Sequence, residues 1–447
     1  MTAASAHGMS DADLLLVHAG ELLTLAGGPQ GAEGPRTGEG LTDLGLIRDG
    51  AVAIADGLIT AVGTTADLLE FVHAAETVDA RGRVVLPGFI DPHTHLLFAG
   101  SRAEEFERRL RGATYLEIAA AGGGILHTVA QTRLADERAL VEAGAVRLTR
   151  MLAHGSTTVE AKSGYGLATD QELKLLRALH QLSAAHHVDV VPTFLGAHAV
   201  PAEFASDPDR YVALIIDEML PAVAEEDLAD YCDVFCEDGA FTLDQSRAVL
   251  EAGAELGLTP KIHADEFSDR GGARLAAEVG AISADHLLHA SPDGLRAMAE
   301  HGVIAVLLPG TAFFLGLPYA PARRMIDLGV PVALATDFNP GSSPTYSMQM
   351  AVALACLGMH LIPGEAIVAA TLNAAWAVGM AEEVGSLEPG KVADLVILGA
   401  SDHRALGMHF GVNLVDAVYK RGRLVASNGA VTGSFAQGAL PQRVTLS

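Results

Sequence analysis

What most constrains this chain is a repeating pattern. Between residues 89 and 384, eight short apolar runs recur, nearly all closed by polar residues and separated by helical patterns. The runs are GFIDPHTH, STTVEAKSGYG, DVVPTFLGAH, DVFCEDG, PKIHADE, AISADH, VIAVLLPG and VALATDFNPG. Their short length and turn-forming boundaries read as strands. Between them lie segments such as DERALVEAGAVRLTRMLAHG and SPDGLRAMAEHG. The second opens on Ser291-Pro292, a capping residue followed by a first-turn proline. Eight strands alternating with helices over roughly 250–300 residues describe an α/β chain folded as a (β/α)8 TIM barrel. A doubly wound open sheet is the competing architecture, but no GxGxxG follows the first strand.

The flanks read differently. DLLLVHAGELLTL, GLIRDGAVAIADGLITAVG and AAETVDARGRVVLPG are β-rich runs broken by Asp-Gly and Ala-Gly, and the C-terminal GSLEPGKVADLVILG and DAVYKRGRLVASNGA repeat the style. The expectation is a small composite β-sandwich domain built from residues 1–88 and 385–447, with the barrel over 89–384. The Gly/Pro-rich segment 27–40 reads as a surface loop.

Half the residues are hydrophobic, enough for a large core, and the formal net charge of −26 argues against nucleic acid or an anionic membrane as partner. Three cysteines form no disulfide framework, so the expected compartment is a reducing cytoplasm. Cys232 and Cys236 are spaced like half a zinc site, but no second Cys or His pair is near, and buried thiols are the expectation. The stretch MTAASAHGMSDADLLL lacks a basic leader and a long apolar core, so no signal peptide is expected. No apolar run reaches the ~18–20 residues of a membrane span.

Seven of the eight strand candidates end in chemically capable residues: His93 and His95, Lys162 and Tyr165, His198, Glu237, His263 and Glu266, His286, and Asp337 with Asn339. His93 and His95 are two apart, which in a strand points both rings to one face. Singly, each is ordinary: a strand-end histidine is often just a hydrogen-bonded structural residue. In a barrel, however, the C-terminal strand ends converge on one mouth, where active sites are built. His93, His95, His263 and Asp337 supply three imidazoles and a carboxylate, a set suited to Zn²⁺ or Fe²⁺ with a position left for water. Such an ion lowers the pKa of its water to roughly 7. Glu266 is then placed to shuttle the proton, its alternative being a supporting or surface carboxylate, and His286 to bond the water or the developing oxyanion.

The motifs PGFIDPHTHLLFAGSR, AAAGGGI, TTVEAKSGYGL, GAHAVP, DVFCEDGAF, IHADE, SADHL, LLPGTAFFL and VALATDFNPGS, with GKVADLVIL after them, resemble the amidohydrolase superfamily. HxH alone marks only the superfamily. FAGSR, KSGYGL and TDFNPGS are more specific, and resemble the branch that opens an imidazolone ring in histidine breakdown. The resemblance implies one divalent metal ion, Zn²⁺ or Fe²⁺/Fe³⁺, on His93, His95, His263 and Asp337, with Glu266, His286 and Asp337 catalytic. It implies substrate contacts from Arg102, Tyr115, Tyr165, His198, Glu266, Asn339, Gly341 and Ser342, and a homodimer. Arg102 would grip the carboxylate of a small anionic heterocycle; its structural alternative is a salt bridge with Glu104 or Glu105. Asn339-Pro340-Gly341-Ser342 would offer an amide, N–H groups and a hydroxyl.

Departures are few. His127 stands where the family usually has Ser before Thr, and no role is assigned to it. The triple Gly at 122–124 is not followed by GK[ST], and Ser163 is not in a GxSxG context. Lys162 lies on the second strand, whereas binuclear relatives carry a carboxylated lysine on a middle strand, so a single metal is expected. Two other functions compete. A nucleobase-type deaminase shares the metal motifs but needs no Arg102 clamp. A barrel that has lost catalysis and serves as a binding module would show missing ligands, and none is missing.

Overall fold

The computed structural model describes residues 10–27, 34–113, 117 and 123–432. The eight expected barrel strands are Phe89–Asp91, Ser156–Lys162, Asp189–Ala197, Tyr231–Cys236, Thr259–Ala264, Ser283–His286, Ile304–Leu307 and Val332–Leu334. They pair in parallel, in chain order, as one sheet. Just beyond their ends the first and eighth strands meet through a Thr94–Phe338 bridge. There the His95 N–H donates to the Phe338 carbonyl at 2.8 Å, and the Asp337 N–H to that of His93 at 3.1 Å. Asp91 reinforces the seam, accepting the Thr336 N–H at 3.0 Å and its hydroxyl at 2.5 Å. Closure fixes the strand ends that carry the polar residues around one mouth.

The helices follow from capping and apolar spacing. Glu137–Ala153 starts where the Asp136 carboxylate accepts the Ala139 N–H at 2.8 Å. It buries Leu140, Val141, Leu148 and Leu152, and each fully buried Leu contributes ~1.5–3 kcal/mol. Gly144 on that face admits Leu97 and Leu182, which would lie 2.7 and 2.5 Å from a Cβ. Pro292–His301 begins as its sequence predicts, with Ser291 Oγ accepting the Gly294 N–H at 3.2 Å.

The termini build one nine-stranded sheet, joined where Leu395–Leu398 runs antiparallel to Val84–Pro87. Its longest strand, Ser10–Leu23, sends Leu14 and Leu16 into one apolar cluster and Leu15 and Val17 into another, the period-two signature of a sheet buried on both faces. One expectation is corrected: the part of 27–40 within the described residues is not all surface. Arg36 is buried and donates to the carbonyls of Leu25 at 2.5 Å and Gly27 at 2.9 Å, and also to that of Asp43, giving partners to loop carbonyls that lie outside the strands. Cys232 and Cys236 are buried free thiols, and Cys356 is a partly buried one. Among the described residues, no helix is long and apolar enough to cross a membrane.

Candidate active site

At the mouth, the Asp337 Oδ1 atom lies 3.5 Å from His93 Nε2 and 3.6 Å from His95 Nε2, and His263 Nε2 is 3.5 Å from His95 Nε2. All four side chains are buried. The donor atoms of His93, His95 and Asp337 lie within 4.8 Å of one another, as do those of His93, His263 and His286. His93 Nδ1–H donates to Asp285 at 2.6 Å, and His263 Nδ1–H donates to Asp233 at 3.2 Å. A carboxylate can only accept, so it holds the proton on Nδ1 and leaves the Nε2 lone pair facing inward. Burial, with Lys162 and His263 close by, depresses His93 well below the usual imidazole range; burial and neighbouring His198 and His263 do the same for His95. Neutral imidazoles with lone pairs aimed at one another and at a carboxylate oxygen repel unless a cation sits among them. His93 Nε2 is accordingly buried without a hydrogen-bond partner. The donor set fits a metal ion.

Glu266 lies beside this set, its Oε1 3.6 Å from His286 Nδ1. Burial, and then Asp337 and Glu237, raise its carboxyl pKa well above the usual value. Asp337 is pushed up to about 6, chiefly by burial. Asp337, His286, Leu287 and Asp265 all adopt left-handed backbone, with φ of 52°, 77°, 59° and 50°. Such conformations in non-glycine residues cost about 1 kcal/mol or more and collect where geometry is dictated by function. Thr311 hydroxyl donates to Asp337 Oδ2, leaving Oδ1 toward the imidazoles. Glu237 holds the segment after Glu266 by accepting the N–H groups of Phe267 at 2.8 Å and Ser268 at 3.3 Å.

Tyr165 and His198 stand beside the imidazoles: their ring centroids are 5.3 Å apart, and the His198 ring stacks on His95 at 4.8 Å. His198 Nδ1–H donates to the Gly164 carbonyl at 2.9 Å, and burial lowers its pKa to about 3. The turn carrying Tyr165 is held by buried Glu172, which accepts the N–H groups of Gly164, Gly166 and Leu167 at 2.8, 2.7 and 2.7 Å. Arg102 makes the salt bridge weighed as its structural alternative: Nε and Nη2 donate to Glu105, each at 2.5 Å. A guanidinium has five N–H groups; Glu105 takes two, and Nη1 makes one long contact, to the Thr128 hydroxyl at 3.5 Å. Gly341 packs against the guanidinium, a Cβ there falling 2.9 Å from Nη1.

The expectation for the Asn339 loop is revised. Asn339 Oδ1 accepts the N–H groups of Gly341 and Ser342 at 2.8 Å each, and its Nδ2 donates to the Asp337 carbonyl at 2.8 Å and to Ser342 Oγ. Short Asn side chains bond their own turn in this way, so the amide and both N–H groups are spent on the loop. Tyr115 lies outside the described residues. Sequence reasoning missed the roles of Asp233, Asp285, Glu160, Glu172 and Thr311. For Glu160, Asp233 and Asp285 the available signal was a charged residue inside an apolar parallel strand, which is buried on both faces and must point at a partner; Glu172 and Thr311 lie on helices and carried no such signal.

Buried, carboxylate-backed imidazoles at a barrel mouth form a site able to hold a metal ion. The sequence profile described as the amidohydrolase family matches residues 84–425, and the chain belongs to that family. The imidazolonepropionase of Geobacillus kaustophilus (strain HTA426) is 56% identical over 422 residues, covering 94% of this chain and 99% of the relative. That of Symbiobacterium thermophilum is 54% identical over 428 residues, covering 95% of this chain and 99% of the relative. Among solved structures, a zinc-bound adenosine deaminase from Xanthomonas campestris superposes with a TM-score of 0.72 at 20% identity, covering 96% of this chain and 97% of that one. The zinc complex of atrazine chlorohydrolase from Arthrobacter aurescens TC1 gives 0.71 at 18%, covering 95% and 98%. These two likenesses concern the fold.

Proposed function

We propose that this chain hydrolyses the cyclic C–N bond of 4-imidazolone-5-propanoate to give N-formimidoyl-L-glutamate, a step of L-histidine degradation. The observation that carries the reading is the end-to-end likeness to imidazolonepropionases, 56% identical in the G. kaustophilus enzyme. His93, His95, His263 and Asp337 would hold one divalent cation, zinc or iron, which would supply Lewis acidity at this mouth. Water oxygen adds to the ring carbonyl carbon, the C–N bond breaks, and one water is consumed. Glu266, its carboxyl pKa raised by burial, accepts the water's proton and returns it to the departing nitrogen. His286, beside Glu266, bonds the oxygen on which charge develops.

Arg102 addresses the propionate carboxylate with the N–H groups that Glu105 does not use. Tyr165 and His198 face the ring. Tyr115 and the Ser342 hydroxyl complete the contacts, with Asn339 and Gly341 acting through their turn. The assembly is a cytoplasmic homodimer without a nucleic-acid partner, consistent with three free thiols and a net charge of −26. Residues 89–384 form the catalytic unit, and 1–88 with 385–447 the composite one.

The test mixes metal-loaded protein with imidazolonepropanoate and follows the loss of its ultraviolet absorbance; no turnover refutes the proposal. A deaminase reading draws only on the fold likeness to the zinc-bound adenosine deaminase. Ammonia release from nucleobases or nucleosides would favour it.

A further inference from the structure

Lys162 ends the second barrel strand wholly inside the barrel, and no step of the proposed chemistry uses it. Its Nζ lies 2.7 Å from Glu160 Oε1, 2.8 Å from Asp233 Oδ2 and 3.8 Å from Asp285 Oδ2. Each of these carboxylates supports part of the metal-ligating set. Asp233 accepts from His263 Nδ1 at 3.2 Å, and Asp285 from His93 Nδ1 at 2.6 Å. Glu160 accepts the backbone N–H of Thr94, the residue between His93 and His95, at 3.2 Å. The Lys162 N–H also donates to the Thr94 carbonyl at 2.9 Å. One side chain thus links the supports of three histidines drawn from two strands far apart in sequence.

Three carboxylates gathered in one dry layer repel, and Coulomb repulsion is weakly screened there. Without a cation between them, Asp233 and Asp285 would rotate apart and release the rings they hold. We infer that Lys162 is the positioning residue of the metal centre: its ammonium clamps Asp233 and Asp285 so that His263 and His93 present Nε2 to the ion. The inference rests on the metal-dependent reading above. It also gives the second-strand lysine a part other than bridging two metals, since its Nζ is already engaged by acidic side chains.

The test compares wild type, Lys162→Met and the charge-balanced Lys162→Met/Glu160→Gln. Zinc affinity is measured by competition with dipicolinate, alongside the thermal midpoint of each metal-free protein and the visible spectrum of each cobalt-loaded one. Disturbing a ligand's outer partner typically costs about 10–100-fold in metal affinity. That loss is expected in both variants, with altered cobalt bands, even where the double variant regains the wild-type midpoint. Wild-type zinc affinity in either variant overturns the inference. So does a double variant that regains both midpoint and affinity, because Lys162 would then only balance charge. Failure of both variants to fold also overturns it, making the ammonium a requirement of the barrel rather than of the ion. A wild-type protein that takes up no zinc or iron refutes the metal-dependent reading instead.

Discussion

Glu172→Gln is the sharpest test of how the Tyr165 turn is built. The wild-type carboxylate is fully buried and accepts three backbone N–H groups, two on Oε1 and one on Oε2. A glutamine keeps an oxygen for Gly166 and Leu167, but must turn its amide N–H toward the N–H of Gly164, or the reverse. One charge-assisted bond is lost and a donor is stranded, and hydrogen bonds to charged groups contribute about 1.5–3 kcal/mol each. The expected destabilisation is about 2–4 kcal/mol. At roughly 2.1 cal/mol/K of unfolding entropy per residue, a unit the size of the barrel loses about 1–2 °C per kcal/mol, hence roughly 3–6 °C. Because the turn carries Tyr165 and its Gly164 carbonyl holds His198, KM rises more than kcat falls. Differential scanning calorimetry and steady-state kinetics read both effects. An unchanged midpoint with unchanged KM would refute the account of this turn.

Arg102→Met removes the proposed carboxylate contact, so KM for the propanoate substrate rises roughly ten- to hundredfold in initial-rate assays. Thr311→Val deletes the hydroxyl that fixes Asp337; zinc affinity falls about tenfold in chelator competition while the fold is kept. Gly164→Ala forces a side chain onto backbone at φ 93°, where its Cβ would meet the Leu195 carbonyl at 2.9 Å; the melting midpoint drops by an amount equivalent to about 1–3 kcal/mol. Stripping the metal abolishes turnover and lowers the midpoint, since an ion present at 100 times its Kd adds about 2.7 kcal/mol of stability.

The barrel was legible because its strands are short apolar runs between turn-forming residues that alternate with helical segments, and runs such as IAVL suit a parallel sheet buried on both faces. The candidate ligands could be picked out because HxH places two side chains on one face, and chemistry-bearing residues close nearly every strand. The partners that hold those side chains could not. Asp285 meets His93 across 192 residues, so only the closed barrel reveals the pair. Arg102 left two readings open, and the structure displays the Glu105 contact without cancelling the other, since a guanidinium has two usable edges. Asn339 shows the opposite limit: a residue in the right loop spends its amide on its own turn.

The most direct test is to run the reaction in heavy-oxygen water with the metal-loaded enzyme and weigh the products by mass spectrometry. The account predicts N-formimidoyl-L-glutamate carrying a single heavy oxygen in its newly formed carboxylate, with every ring nitrogen retained and no ammonia freed. Unlabelled product, or ammonia leaving in step with substrate loss, would contradict it.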